Sequence, residues 1–288
     1  MKLIKRLILL VALLIIVAVG LVVFGLTRID AIFKAGVEKG GTWAMGVDTK
    51  LASADVQLTQ GSVSMSGLTV ANPPGYKSDK FFGMGSGSIQ VAIPTLDKPV
   101  IEVPSLKLAD IRVNLEKADG KANYKVILDN LAKLKGSSQQ PGSPPTGPGS
   151  EKKFIINEVD IKNVTVHVDL IPVGGALTQV DVPIDEIKLK NVGTAGGGLP
   201  AGELAMVIVN AVLKVATEKG AGIIPADVLG DLQGLLPQLG DLNAMGIEVQ
   251  GKLGEAAEGL KKEAEKQIDK TVDEAKKKLE DLIPGKKK

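Results

Sequence analysis

The sequence predicts a mostly β fold with helices, an α+β domain carried behind an N-terminal transmembrane helix. Three observations predict it. An unbroken apolar run opens the chain, apolar doublets recur at one spacing through its middle, and helical periodicity takes over after Val192.

Lys2, Lys5 and Arg6 precede the apolar run from Leu7 to Leu26. At about 1.5 Å per residue this run spans about 30 Å, the thickness of a hydrocarbon core. It is longer than the apolar region of a cleaved signal peptide. It ends Val22-Val23-Phe24-Gly25-Leu26, bulky where a signal peptidase needs small side chains. Residues 7–26 are therefore expected to remain as a signal anchor, the alternative being an unusually long cleaved signal. The basic stub, residues 1–6, is expected on the cytoplasmic side and the rest of the chain outside it. No second run approaches this length, so a single pass is expected.

Thr27 to Gly40 continues with spaced apolar residues and is expected to extend the helix until Gly40-Gly41 breaks it. A β region with one short helix is expected over 27–135. Its strands begin near Val47, with Val, Ile and Leu alternating with polar residues between Gly, Pro, Asn and Asp. The short helix is expected from Asn123 to Leu134, capped by Asn123 and carrying Val126, Ile127, Asn130, Leu131 and Leu134 at helical spacing. Residues 136–150 (GSSQQPGSPPTGPGS) read as a flexible polar linker, and 151–192 as a second β repeat.

The doublets follow Φ-x-Φ-x-x-Φ-x-Φ four times. They are Val63, Met65, Leu68, Val70; Ile101, Val103, Leu106, Leu108; Phe154, Ile156, Val159, Ile161; and Val182, Ile184, Ile187, Leu189. The second and third sets continue as Ile111, Val113, Leu115 and Val164, Val166, Val168, at a constant offset of 53 residues. A strand alternates faces with period two, so the three-residue step should throw the next doublet onto the other face. A β-bulge or tight turn would absorb the slip. In the second and third sets all seven apolar residues then share one face. Glu102, Lys107, Arg112, Asn114, Asn157, Asp160, Thr165 and His167 take the other. Long or bent antiparallel strands with one greasy and one wet face are expected. The pattern fits both a closed sandwich core and an open groove.

Residues 193–253 are expected to form apolar helices. Pro200–Lys219 is apolar over most of its circumference, which calls for burial, and Pro225 opens a second stretch through Leu239. Residues 254–288 read as a charged helix with a narrow stripe (Ala257, Leu260, Ala264, Ile268, Val272, Ala275, Leu279, Leu282) and a basic tail. That helix could pack on its own domain, lie on a membrane surface or a partner, or be a loosely attached tail.

Little points to catalysis. The chain has no cysteine and a single histidine, so thiolate chemistry and multi-histidine metal sites are excluded. His167 falls on the polar face of a predicted strand with no nucleophile beside it. Gly83-x-Gly85-x-Gly87 lacks the third glycine of a dinucleotide fingerprint and leads into a strand, so it reads as a loop. Carboxylates are scattered without a general acid/base spacing. Asn163-Val164-Thr165 fits a glycosylation sequon but lies inside a predicted strand. A net charge of +2 and 3% aromatic residues argue against nucleic acid. The expectation is no enzyme and no cofactor.

The stretch from Val37 to Leu134 resembles the AsmA-like proteins of bacterial envelopes. The N-terminal anchor, Val37-Glu38-Lys39-Gly40 and the run GSVSMSGLTVANPPGY carry the likeness. Gly67, Leu68, Val70, Asn72, Pro73, Gly75 and Tyr76 match that family's G-x-Φ-x-Φ-x-x-L-x-V-x-N-P-x-G-[FY] signature, with a further proline at Pro74. The resemblance implies an inner-membrane anchor, a periplasmic domain, and a sheet rolled into a half-pipe with an apolar inner face. It also implies a part in lipid traffic or outer-membrane upkeep, with membrane lipid as both anchor medium and cargo. Ile101, Val103, Leu106, Leu108, Ile111, Val113, Leu115, Ile156, Val159, Ile161, Val164, Val166, Val168, Ile184, Ile187 and Leu189 would then line the groove. The chain is also similar to late-embryogenesis-abundant β-sandwich domains, which implies a closed structural or binding module instead.

Overall fold

The computed structural model describes residues 28–133, 152–170, 178–221 and 223–255, with isolated helical positions at 259 and 262. The expected anchor with its Lys2, Lys5 and Arg6, the linker, and most of the expected C-terminal helix lie outside these residues. Among the described residues no helix is long and apolar enough to cross a membrane.

Nine strands form one mixed sheet: β1 (Thr49–Gln57), β2 (Ser62–Ala71), β3 (Lys80–Gln90), β4 (Val100–Ala118), β5 (Lys121–Ala122), β6 (Lys153–Leu170), β7 (Thr178–Val192), β8 (Leu199–Pro200) and β9 (Glu248–Leu253). The order is β1-β2-β3-β4-β6-β7-β9, with β5 on β4 and β8 on β6. Four helices accompany it: α1 (Ile29–Met45), α2 (Asn123–Ala132), α3 (Ala201–Lys219) and α4 (Ala226–Leu239).

The offset of 53 residues seen in the sequence is a pairing register. β4 and β6 pair from Val100 with Lys153 to Lys117 with Leu170, so every matched apolar position meets its counterpart. They pair in parallel, which corrects the wholly antiparallel expectation. The physical reason is the crossover: α2 returns the chain across the sheet before β6 begins, as parallel neighbours require.

The three-residue steps have a common origin. Ala52, Gly67, Gly85, Asp110, Asn163 and Asp185 stand in one row across six strands, and the ladders skip each of them. In the five ladders from β1 to β7 the register is the same on both sides of the row. This replaces the expected bulge, which would have shifted the pairing by one. At the level of the row a true shift occurs at β7 against β9, between Ile184 and Glu186, and β2 against β3 shifts away from the row, between Val70 and Ala71. Gly67, Asp110 and Asn163 have φ of 64°, 58° and 54°. Gly and the short polar Asn and Asp are the residues that tolerate this region. Each turns its strand by a half-period, so Leu108 and Ile111, or Ile161 and Val164, share a face. A second row of skipped residues, Pro104, Asn157 and Asn191 (φ 62°), does the same nearer the other ends of β4, β6 and β7.

The glycines at 83, 85 and 87 lie inside β3, not in a loop as expected. A Cβ on Gly85 would stand 2.8 Å from the Asp110 Cβ, so the row needs glycine there. Asn163 Nδ2 in turn donates to Asp110 Oδ1 at 3.1 Å.

α1 runs through Gly40-Gly41 to Met45, also against expectation, and Gly46 (φ 71°) ends it. A Cβ on Gly41 would lie 2.6 Å from Thr49 Cγ2, so glycine there lets helix and strand touch. One stripe of α1 closes the β1 edge. The N–H groups of Thr49, Leu51 and Val56 donate to Thr42 Oγ1, Glu38 Oε1 and Asp30 Oδ1, and Lys34 Nζ donates to the Ala52 carbonyl. Four helical residues rise about 6 Å and two strand residues about 6.6 Å, so the two spacings match. An unpaired edge strand is thereby kept from pairing with another chain.

Asn163→Gly should keep the fold near its native stability, whereas Asn163→Val, a β-branched residue at positive φ, should cost about 1–3 kcal/mol. The shift of the urea midpoint measures the difference. Equal midpoints for the two variants would remove the row of turned residues as a determinant of the sheet.

Candidate functional site: a covered apolar trough

The residues expected to line a groove do share one face, and that face is covered. All of them except Leu108 are 9% exposed or less, and Leu108 is half-buried. They belong to one core with residues of α2, α3 and α4. Tyr124, Ile127, Leu128 and Leu131 come from α2, Met206, Val207, Val212, Leu213 and Val215 from α3, and Val228, Leu232, Leu235 and Leu239 from α4. The expected open groove is therefore a filled one among the described residues. The reason is the all-round apolar α3, which has no other surface on which to bury itself. A Cβ on Gly251 of β9 would lie 2.3 Å from Val215 Cγ1, so α3 sits almost on the β9 backbone.

The region expected to be only apolar helices, 193–253, also holds β8 and β9. Glu248, Gln250 and Lys252 of β9 have the alternation of a strand. Its six residues between Ile247 and Gly254 were too few to stand out in the sequence.

The opposite face is charged, with signs alternating across strands. Lys107 pairs with Asp160 and Asp160 with Lys188; Lys162 pairs with Glu186 and Glu186 with Lys252; Glu158 pairs with Lys190 and Lys190 with Glu248. Such cross-strand pairs each contribute a few tenths of a kcal/mol and penalise a slipped register. His167 is half-buried on this face beside Asp181, which Arg112 also meets at 3.6 Å. No metal-binding cluster occurs among the described residues.

The signature residues build a loop. Gly67 belongs to the row of turned residues, Leu68 and Val70 point from β2 toward the core, and Asn72-Pro73-Pro74-Gly75-Tyr76 leads the chain across the end of the sheet. The buried Glu116 carboxylate organises that loop. It accepts from Lys77 N (2.8 Å), Ser78 N (3.0 Å) and Asn72 Nδ2 (3.1 Å). Asn123 completes the network: its Oδ1 accepts from Glu116 N at 2.8 Å, and its Nδ2 donates to Asn72 Oδ1 and the Asn114 carbonyl. Against expectation, Asn123 therefore does not cap α2; Ala122 holds the cap position. Glu116 was missed because a lone carboxylate in a strand reads as surface. Its signal would have been the coincidence of two asparagines with it at one sheet end.

On the core side of the same end, Lys117 Nζ meets Asp227 and Asp231 of α4 at 3.3 and 3.2 Å, and Tyr124 donates to Asp231 at 3.1 Å. Burial, then the Asp231 charge and hydrogen bond, push the Tyr124 phenol far above its ordinary value. Burial, then Glu116, push Tyr76 upward as well. The hydrogen bond to Asp231 leads the causes that raise Lys117. These contacts tie α4 to β4 and to α2 at one end.

No family model and no curated protein matches the chain.

Both tyrosines of the chain are thus held protonated by the fold. A phenol raised in the folded state binds its proton more tightly there than in the unfolded chain. Its contribution is present below pH 10, the unfolded value, and is lost as pH climbs above it. Tyrosinate absorbance should therefore lag behind a titration centred on pH 10, and the Tyr124 share should rise together with loss of near-ultraviolet dichroism. A smooth titration centred on pH 10 with the fold intact would contradict this placement of Tyr76 and Tyr124.

Proposed function

We propose that this chain is an AsmA-like envelope protein whose sheet binds or moves the acyl chains of membrane lipid, with α3 and α4 as the resting cover of the trough. In this reading residues 7–26 hold it in the inner membrane by a single pass and the sheet lies in the periplasm. The observation that carries the proposal is the composition of the cover. One face is apolar along the long strands β4, β6 and β7, and separate apolar helices close it where a sandwich would use a second sheet. An acyl chain gains about 0.8 kcal/mol for each methylene taken from water, so a trough lined in this way would favour one once a helix moves aside. Gly193, Gly196, Gly197 and Gly198 join β7 to β8, which leads directly into α3, and Gly220 follows α3; the swing would need β8 to part from β6 or α3 to turn about Pro200 and Gly220.

A second reading has support of its own. The lining is as dry as an ordinary core, which fits a closed structural or protein-binding module without a lipid path. Residues 254–288 would then be the segment that meets an envelope partner.

The chain has no native cysteine, so a Val215→Cys/Gly251→Cys pair can tie α3 to β9. The Val215 Cβ is 3.1 Å from an ideal Cβ at Gly251, a little closer than a disulfide needs. Native mass spectrometry of the full chain released from lipid nanodiscs should show bound phospholipid when the pair is reduced and little when it is oxidised. Equal lipid in both states would contradict the cover, and none in either would favour the closed module.

A further inference from the structure

Five large apolar side chains are exposed among the described residues: Ile32, Leu58, Ile93, Leu96 and Val126. Four of them collect at one end of the sheet. Leu58 tops the β1–β2 turn, and Ile93 and Leu96 lie on the β3–β4 loop. Gly61 holds these two loops together. It accepts from Val91 N at 2.7 Å, and a Cβ on it would lie 2.9 Å from the Ile93 side chain. Ile32 is on the first turn of α1, at the same end, because Asp30 bonds Val56 near the tip of β1.

That end is also where the expected anchor must arrive. Asp30 is four residues from Leu26, the last residue of the apolar run, and four residues reach at most about 14 Å. Leu58 is two strand residues beyond Val56, about 7 Å further along the same side. The bond between Asp30 and Val56 therefore puts the β1–β2 turn close to the level at which the chain would leave the hydrocarbon. Lys98, Lys152 and Lys153 are exposed beside the loop, and Lys152 Nζ donates to the Leu96 and Lys98 carbonyls at 3.2 and 2.6 Å. Apolar tips beside lysines match the layered chemistry of a bilayer surface, acyl chains below and phosphates above.

We infer that this rim of Leu58, Ile93 and Leu96 docks into the headgroup layer of the bilayer that the anchor spans. The inference rests on residues 7–26 being a transmembrane anchor. α1 then acts as a rigid bracket, since four side-chain bonds fix it to β1. The sheet is held with one end against the lipid and the Glu116 end away from it.

The test uses the full chain in nanodiscs of phosphatidylethanolamine and phosphatidylglycerol carrying nitroxide-labelled lipid. Single cysteines bearing a fluorophore replace Leu58, Ile93 or Leu96. Val126→Cys serves as an equally exposed apolar control. It lies on α2, whose Asn130 bonds the Met45 carbonyl at the far end of α1, about 22 Å from Asp30. Leu14→Cys marks the centre of the expected anchor. The expected result is strong quenching at Leu14 by deep nitroxides, and quenching at the three rim positions by shallow nitroxides several-fold above that at Val126. Quenching at Leu14 with the rim no different from Val126 would overturn the docking while leaving the anchor intact. No quenching at Leu14 would overturn the anchor and the docking together.

Discussion

One face of the central sheet has to be kept from water, and most other features of the fold follow from that. β4, β6 and β7 are long, and each Val, Ile or Leu they bury contributes about 1.5–3 kcal/mol. A plain strand of that length would keep its alternation but could not place residues three apart on one side. The row of skipped residues from Ala52 to Asp185 solves this for six strands at the same level, so the ladders stay in register while the apolar face stays continuous. A lone turned residue in one strand would break its neighbours' pairing; a complete row does not.

The two sides of the sheet are stabilised by different physics. The wet face carries alternating charges that specify register and contribute little each. The dry face needs volume, and α2, α3 and α4 supply it. α2 is tied into the sheet through Asn123 and Glu116, and α4 through Lys117, with Tyr124 linking α4 to α2. α3 relies on apolar contact and on glycines that let it approach β9. Of the three covering helices it is the one with the fewest directional bonds to the strands, which is why it is the natural part to move if the trough opens. At the far edge, α1 couples β1 to the chain segment that leads toward the expected anchor.

The sequence made the sheet legible because its spacing is a consequence of geometry. The offset of 53 residues was visible before its meaning was, since parallel partners must carry the same pattern while antiparallel ones need not. The apolar α3 and α4 were legible from their circumference and from Pro200 and Pro225. The groove-lining residues were legible as a face, but whether anything covered them was not, because a pattern describes one partner of a contact. Gly40-Gly41 and Gly83 to Gly87 misled for a shared reason. Glycine marks both a break and a place where another chain segment comes close, and here close approach to Thr49 and Asp110 decided. β9 and Glu116 were hidden because a short strand and a single buried carboxylate leave no periodic trace.

The central claim is that α3 and α4 are a cover and the strands beneath them a separate, more stable unit. Native-state hydrogen exchange of the full chain in nanodiscs, followed by peptide, tests it most directly. The account predicts that amides of α3 and α4 exchange together through a partial opening while β4, β6 and β7 remain protected. Exchange of helices and strands at one common slow rate, through global unfolding alone, would contradict it and make the trough a permanent core.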